Sequence, residues 1–193
     1  VFTVYIFLQD LRTTLVPAIT IPVSLLGTFA VMLALGLSIN GLTMFGLILV
    51  IGIVVDDAIV VVENTMRIID DEGLGAKEAT AKSMLEITGP VVATTLVLLA
   101  VFVPTIVMPG ITGRLYRPFA ITISVATLFS SLNALTLSPA LCGMLLRPSK
   151  HRTRGVFGLI NRVLDRTTTG YTAVVGSLLR KTVVGGAIFA AMM

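Results

Sequence analysis

The sequence predicts an all-α membrane protein, a bundle of about four complete transmembrane helices with partial spans at both ends and one amphipathic surface helix. Three observations carry that prediction. Of the 193 residues, 55% are hydrophobic and only 12% are charged, whereas a soluble domain has about a quarter charged residues. The mean hydropathy is +1.01. Apolar runs long enough to cross a bilayer, which takes about 20 residues, recur along the chain, and no stretch alternates with the period of two that marks a strand.

The elements follow in order. A partial span precedes Gln9, and complete spans are expected at 14–35, 42–62, 89–108 and 119–146. The stretch KEATAKSMLEITG reads as an amphipathic helix entering the third span obliquely, and the fourth is long enough to project beyond the bilayer. In GVFGLINRVLDRTTTGYTAVVGSLLRK, the apolar residues Val156, Leu159, Ile160, Val163 and Leu164 recur at helical spacing with Arg162, Asp165 and Arg166 between them. That pattern fits a helix lying on the membrane surface; the competing reading is a helix packed on a cytoplasmic partner. A further span begins near Thr182. The expected organisation is a transmembrane bundle at 1–148, a cytoplasmic basic amphipathic helix and linker at 149–181, and the start of another span at 182–193. Both termini fall inside apolar runs, VFTVYIFL and VVGGAIFAAMM, so the chain is expected to be a piece of a longer protein. The first run lacks the basic flank and small-residue cleavage site of a signal peptide.

The net charge is +4, and its distribution matters more than its size. Arg12, then Arg67, Lys77 and Lys82, then the cluster from Arg147 to Lys181 fall in alternate connections. The intervening connections are poorer: 36–41 has no basic residue, and 109–118 has Arg114 and Arg117. By the positive-inside rule the basic connections are cytoplasmic. Cations in these places orient spans in a lipid bilayer, so no nucleic-acid partner is expected. The single cysteine, Cys142, excludes an internal disulfide and reads as an apolar thiol in a helix. No metal site and no cofactor are expected. No nucleophile-plus-base arrangement or phosphate-binding glycine loop is present, and His151 lies in a basic connection, so the chain is not expected to be an enzyme.

One stretch runs against the hydropathy: GIVVDDAIVVVEN, residues 52–64, with Asp56 and Asp57 side by side. The span 42–62 holds fourteen Leu, Ile, Phe and Val residues, worth roughly −4 to −8 kcal/mol on the insertion scale, while two central aspartates cost about +5 to +7 kcal/mol. The terms nearly cancel, so the helix is expected to depend on neighbours, with its acidic stripe facing inward. Asp56 aligns with Glu63 and Asp57 with Asn64, each seven residues apart. Glu63 and Asn64 are expected to cap and solvate the cytoplasmic helix end, the alternative being that they act in the membrane as supporting polar groups to the pair. Adjacent carboxylates in a low dielectric cannot both be charged cheaply, so at least one is expected to hold a proton unless a cation is near. The predicted spans contain no Lys or Arg to supply a permanent salt bridge, and ionisable groups within spans usually mark ion or proton pathways. Asp56 and Asp57 are therefore the candidate proton-translocating pair.

Supporting polar groups lie in SVATLFSSLNALTLSP, where Ser130, Ser131, Asn133, Thr136 and Ser138 fall in the fourth span. Small hydroxyls commonly join helices, and Ser130, Ser131 and Asn133 could also carry a water wire to the aspartates. Pro22, Pro104 and Pro139 are expected to kink or interrupt their helices. Gly27, Gly46 and Gly52 are expected to permit close helix approach, Gly52 also leaving space beside Asp56.

NGLTMFGLILVIGIVVDDAIVVVENTMRI, followed by DDEGLGAKEATAKSM, AVFVP, GRLYRPFAITI and LTLSPALC, resembles the resistance-nodulation-division (RND) transporters, and most closely their multidrug hydrophobe/amphiphile efflux branch. The likeness covers nearly the whole chain and is weakest after Lys150. It implies the end of the family's second transmembrane helix, helices three to six, a surface helix and the start of the seventh. Asp56 and Asp57 match the family's proton-translocating pair. The heavy-metal branch typically has one acidic residue there, so the pair favours organic amphiphiles. The resemblance further implies proton/drug antiport driven by the proton motive force and a second half of the transporter bearing an intramembrane Lys. It also implies a homotrimer in the bacterial inner membrane, with a periplasmic adaptor and an outer-membrane channel. The alternatives are an RND-type transporter of a metal ion or a lipid, a protein-export auxiliary, or a structural membrane subunit without coupling.

Overall fold

The computed structural model describes residues 4–5, 10–147, 166–172 and 175–176. By internal packing the chain divides into two compact units, Val1–Ser149 and Lys150–Met193. In the second unit, residues 166–172 and 175–176 are helical, and 166–172 are exposed. The surface-helix residues Val156 to Asp165 and the expected span after Thr182 lie outside the described residues, as does the expected span before Gln9 except for the helical Val4 and Tyr5.

Among the described residues, 10–147 of the first unit form five helices: α1 Leu11–Ala34, α2 Gly41–Glu72, α3 Ala76–Ile106, α4 Gly110–Leu135 and α5 Leu137–Leu145. No strand occurs among the described residues. By length and apolar composition α1, α2, α3 and the α4–α5 segment Gly110–Leu145 can each cross a membrane. Local chemistry sets their ends. Asp10 caps α1 by accepting the Arg12 backbone N–H, while the Thr13 and Thr14 hydroxyls donate to the Asp10 carbonyl at 2.7 and 2.8 Å. Asn40 and Thr43 form a reciprocal capping box on α2. That helix stops at Gly73, whose φ of 66° is the left-handed conformation glycine adopts without steric cost. At the opposite end of the bundle, a Cβ on Gly113 would lie 1.8 Å from the Met108 carbonyl oxygen, so only glycine fits the turn from α3 into α4.

Two boundaries differ from expectation. The second span continues ten residues past 62, so Arg67 belongs to a helix and not to a connection, whereas the helix expected over KEATAKSMLEITG is present, carries Lys77 and Lys82, and runs into the third span as one helix from Ala76. The α2–α3 connection is only residues 73–75. Residues 110–118, expected as a connection, form the first turns of α4. The fourth span is broken at Thr136, three residues before Pro139, which lacks the N–H that would have bonded the Leu135 carbonyl. Pro22 and Pro104, by contrast, lie within helices that remain continuous.

Helix α4 packs against all four others and most extensively against α2 and α3. Glycine permits two of these approaches. A Cβ on Gly27 would meet the Phe129 ring at 2.7 Å, and one on Gly46 would meet the Phe119 ring at 3.1 Å. Gly52 has nothing within 4 Å of such a Cβ, so it provides open space and not close packing. Two apolar clusters fill the interior. One joins Val16, Val61, Val62, Ile68, Ile69, Ile87, Val91, Ala134 and Cys142. The other joins Val50, Val54, Ile123 and Ala126, with Phe102 and Phe119 packed against them. Large apolar side chains such as Leu26, Leu33, Ile48, Val97 and Val101 cover the outside, as lipid contact requires.

Candidate functional site

Along α2, Asp57 falls between Val54 of one apolar cluster and Val61 of the other; along α4, Ser130 falls between Ala126 and Ala134 of the same two clusters. A polar layer thus crosses the bundle between two hydrocarbon plugs. The Ser130 hydroxyl donates to Asp57 Oδ2 at 2.5 Å, joining residues 73 apart in sequence. In the same helix Asn133 Nδ2 donates to Ser24 Oγ of α1 at 2.7 Å, and both groups are buried. The hydroxyl of Ser130 carries one donor and two acceptor lone pairs, so it can donate to an ionised carboxylate and accept from a protonated one. The Asp57–Ser130 contact is therefore compatible with either protonation state.

The aspartates do not share one environment. Adjacent residues on a helix point about 100° apart, and α4 covers only Asp57, which is half-buried; Asp56 is exposed and has no hydrogen-bond or ion-pair partner among the described residues. The expected single inward stripe is thus divided. Asp56 and Glu63 share an open face, while Asp57 and Asn64 share the packed one. The geometric reason is that a helix neighbour covers an arc, and the pair straddles its edge.

Glu63 and Asn64 do not cap a helix end, because α2 runs nine residues beyond Glu63. Glu63 is exposed. Asn64 instead ties α2 to α3: its Nδ2 donates to Ser83 Oγ at 3.0 Å and to Glu86 Oε2 at 3.1 Å, while Arg67 Nη2 donates to Asn64 Oδ1 and to Glu86 Oε2, both at 2.8 Å. Ser131 is buried beside Ser130 and makes no hydrogen bond to either aspartate among the described residues. The ion pairs of the described residues, Arg67–Asp71, Arg67–Glu86 and Lys82–Glu72, all lie in the α2–α3 extension, so none of them neutralises Asp56 or Asp57.

Several partners were not singled out from sequence. Ser24 has a detectable signal, since Thr20, Ser24 and Thr28 recur every four residues and form a buried face of α1. Arg67 had none, because a charged residue just after a predicted span read as a connection, and Ser83 and Glu86 fall in the expected amphipathic helix without any signal of what they face. Cys142 is buried within α5, as an apolar thiol would be. Among the described residues no group of three or more His, Cys, Asp or Glu side chains converges to hold a metal.

Residues 1–193 match the model of the AcrB/AcrD/AcrF family. The chain is 51% identical over 182 residues to the multidrug export protein AcrF of Escherichia coli, covering 92% of this chain and 18% of that protein. It is 50% identical over 184 residues to the toluene efflux pump membrane transporter TtgB of Pseudomonas putida, covering 93% of this chain and 18% of the relative. With the multidrug resistance protein MdtF of Escherichia coli the identity is 47% over 181 residues, 92% of this chain and 18% of that one. The chain therefore spans about a fifth of the length of these relatives.

Proposed function

The chain belongs to the AcrB/AcrD/AcrF family of RND transporters, and from that premise we propose that it forms part of a proton-driven efflux transporter for hydrophobic or amphiphilic compounds, with Asp56 and Asp57 as its proton relay. The observation that carries this reading is the Asp57–Ser130 contact beside an unpaired Asp56, set between two apolar clusters with no cation from the described residues in attendance. Ionisable groups kept at this expense within a span are usually functional. The relatives' names support the cargo class: multidrug export for AcrF, and toluene efflux for TtgB.

In this reading a proton entering from the non-cytoplasmic side neutralises the pair. That weakens its attraction to an intramembrane Lys contributed by the second half of the transporter and shifts helix packing. Release into the cytoplasm resets the cycle, and the proton motive force replaces any bound cofactor. The open face carrying Asp56 and Glu63 supports a covering partner there, since an unpaired carboxylate facing lipid is costly. By the same family reasoning the complete transporter is a homotrimer of the bacterial inner membrane that works with a periplasmic adaptor and an outer-membrane channel. Chemistry is transport, not bond-making, so no catalytic residue is assigned. In the full-length transporter Asp56→Asn or Asp57→Asn is expected to abolish drug resistance while leaving membrane insertion unchanged. Efflux at the parental rate by either variant in a cell-based dye-extrusion assay overturns the relay.

A further inference from the structure

The hydrocarbon plug beside Asp57 raises the question of how a proton reaches that carboxylate from the end of the bundle where α2 and α4 begin. Val54 and Val50 precede Asp57 by three and seven residues, hence on its own face of α2, and both are buried against Ile123 and Ala126 of α4. Those four side chains are apolar and offer a proton no donor or acceptor. Around α4, however, lies a second feature that the proposed function does not use. The hydroxyl oxygens of Ser124 and Thr127 are enclosed and have no hydrogen-bond partner among the described residues. Both residues are more than nine-tenths buried, at 6% and 1% exposure.

Their lack of partners is not a general habit of hydroxyls in this bundle. Thr28, Thr65, Thr95 and Thr122 each donate to the carbonyl four residues back, which satisfies the group within its own helix. Ser124 and Thr127 make no such bond, and a buried polar group of this kind calls for a partner, most simply an ordered water. Ser124, Thr127 and Ser130 stand three residues apart, so each neighbours the next, about 60° further around α4. Cβ atoms at this spacing lie about 5–6 Å apart, too far for a direct hydrogen bond and within the span of one bridging water. Ser130 already donates to Asp57. The third enclosed hydroxyl of this kind, Ser138, lies on α5 beyond the break at Thr136 and is not in this file.

We propose that Ser124, Thr127 and Ser130, with water bridging them, form a proton-entry file along α4 that passes the Val50–Val54–Ile123–Ala126 plug and ends on Asp57. Each hydroxyl accepts a proton on one lone pair from the water before it and releases its own to the water or carboxylate after it. The O–H bonds are exchanged one for one, the hydroxyls end unchanged, and the net result is one proton moved from the water beside Ser124 onto the Asp57 carboxylate. Ser124 and Thr127 are relay hydroxyls here, and the inference rests on the proton-coupling reading above.

The test uses the full-length transporter containing this segment, reconstituted in liposomes with an internal pH-sensitive dye, and compares substrate-coupled proton flux per inserted protein. Thr127→Val keeps the shape and removes the hydroxyl, whereas Thr127→Ser keeps the hydroxyl and removes the methyl. Thr127→Val is expected to lower the flux about tenfold, and Thr127→Ser to keep it within about twofold of the parent, as loss of one hydrogen-bonded step implies. Ser124→Ala is expected to behave like Thr127→Val and carries the same criterion if that variant fails to insert. Flux near the parental value in both hydroxyl-deleted variants, with Asp57→Asn blocked, overturns the file and leaves the proton-coupling reading standing. Loss in Thr127→Ser with retention in Thr127→Val also overturns it, as a packing role would produce. Parental flux in Asp57→Asn overturns the coupling reading and the file together.

Discussion

Asp57 lies within reach of a hydroxyl from another helix, while Asp56, one residue away, faces open space, and that asymmetry governs what each carboxylate can do. The spacing of the pair and of Glu63 and Asn64 along one helix was legible in the sequence, because helical phase depends only on residue number. Which of the two is covered was not, since the covering Ser130 is 73 residues away. The glycines separate in the same manner. Gly27 and Gly46 admit the Phe129 and Phe119 rings, and Gly52 admits nothing. Gly27→Leu and Gly52→Leu make the same change in helix propensity, so their difference reports packing alone. Gly27→Leu is expected to be the less stable by about 1–3 kcal/mol, the usual range for overpacking. Denaturant titration of the two variants in mixed micelles measures it, and equal stabilities would contradict the close contact with Phe129.

At the level of elements, helices extend where the sequence suggested connections. Residues 67–72 carry charges that hydropathy assigns to water, yet α2 remains helical there and is joined by a three-residue turn at Gly73 to the amphipathic start of α3 that the sequence did suggest. The physical reason is that polar side chains end a transmembrane span without ending a helix, and Asn64, Ser83, Arg67 and Glu86 hold the two extensions together across their interface. Arg114 and Arg117 misled in the same way at the start of α4. The break at Thr136 was legible, because a missing N–H at Pro139 acts locally. Asn64→Ala removes hydrogen bonds to a serine and a glutamate and leaves Arg67 with fewer acceptors. It is expected to cost about 1 kcal/mol or more. Lys82→Ala breaks only the half-exposed Lys82–Glu72 pair and is expected to cost under about 0.5 kcal/mol after solvent screening. Unfolding free energies of the two variants test the ranking, and a larger loss from Lys82→Ala would show that the Asn64 junction does not hold the hairpin.

For the whole molecule, the helix bearing the aspartates is nearly neutral toward insertion on its own, and the bundle shelters only one of its two acids. Unless Asp56 gains a partner from outside the described residues, proton coupling has no counter-charge. These 193 residues are therefore expected to insert into liposomes but to carry out no vectorial drug transport, and substrate accumulation driven by a pH gradient in such liposomes would refute that expectation. The sequence by itself determined that the chain is an apolar helical bundle, where its spans lie to within a few turns, that two carboxylates sit in one of them at the expense of insertion, and which family the motifs resemble. Those properties add up locally along the chain, through hydropathy, charge and helical phase. Only the tertiary structure decided that Asp57 and not Asp56 meets Ser130, that Asn64 bridges helices, and that Ser124 and Thr127 are enclosed without partners. Each of these depends on how α4 is rotated and placed against its neighbours, a property of side chains far apart in sequence that no local pattern encodes.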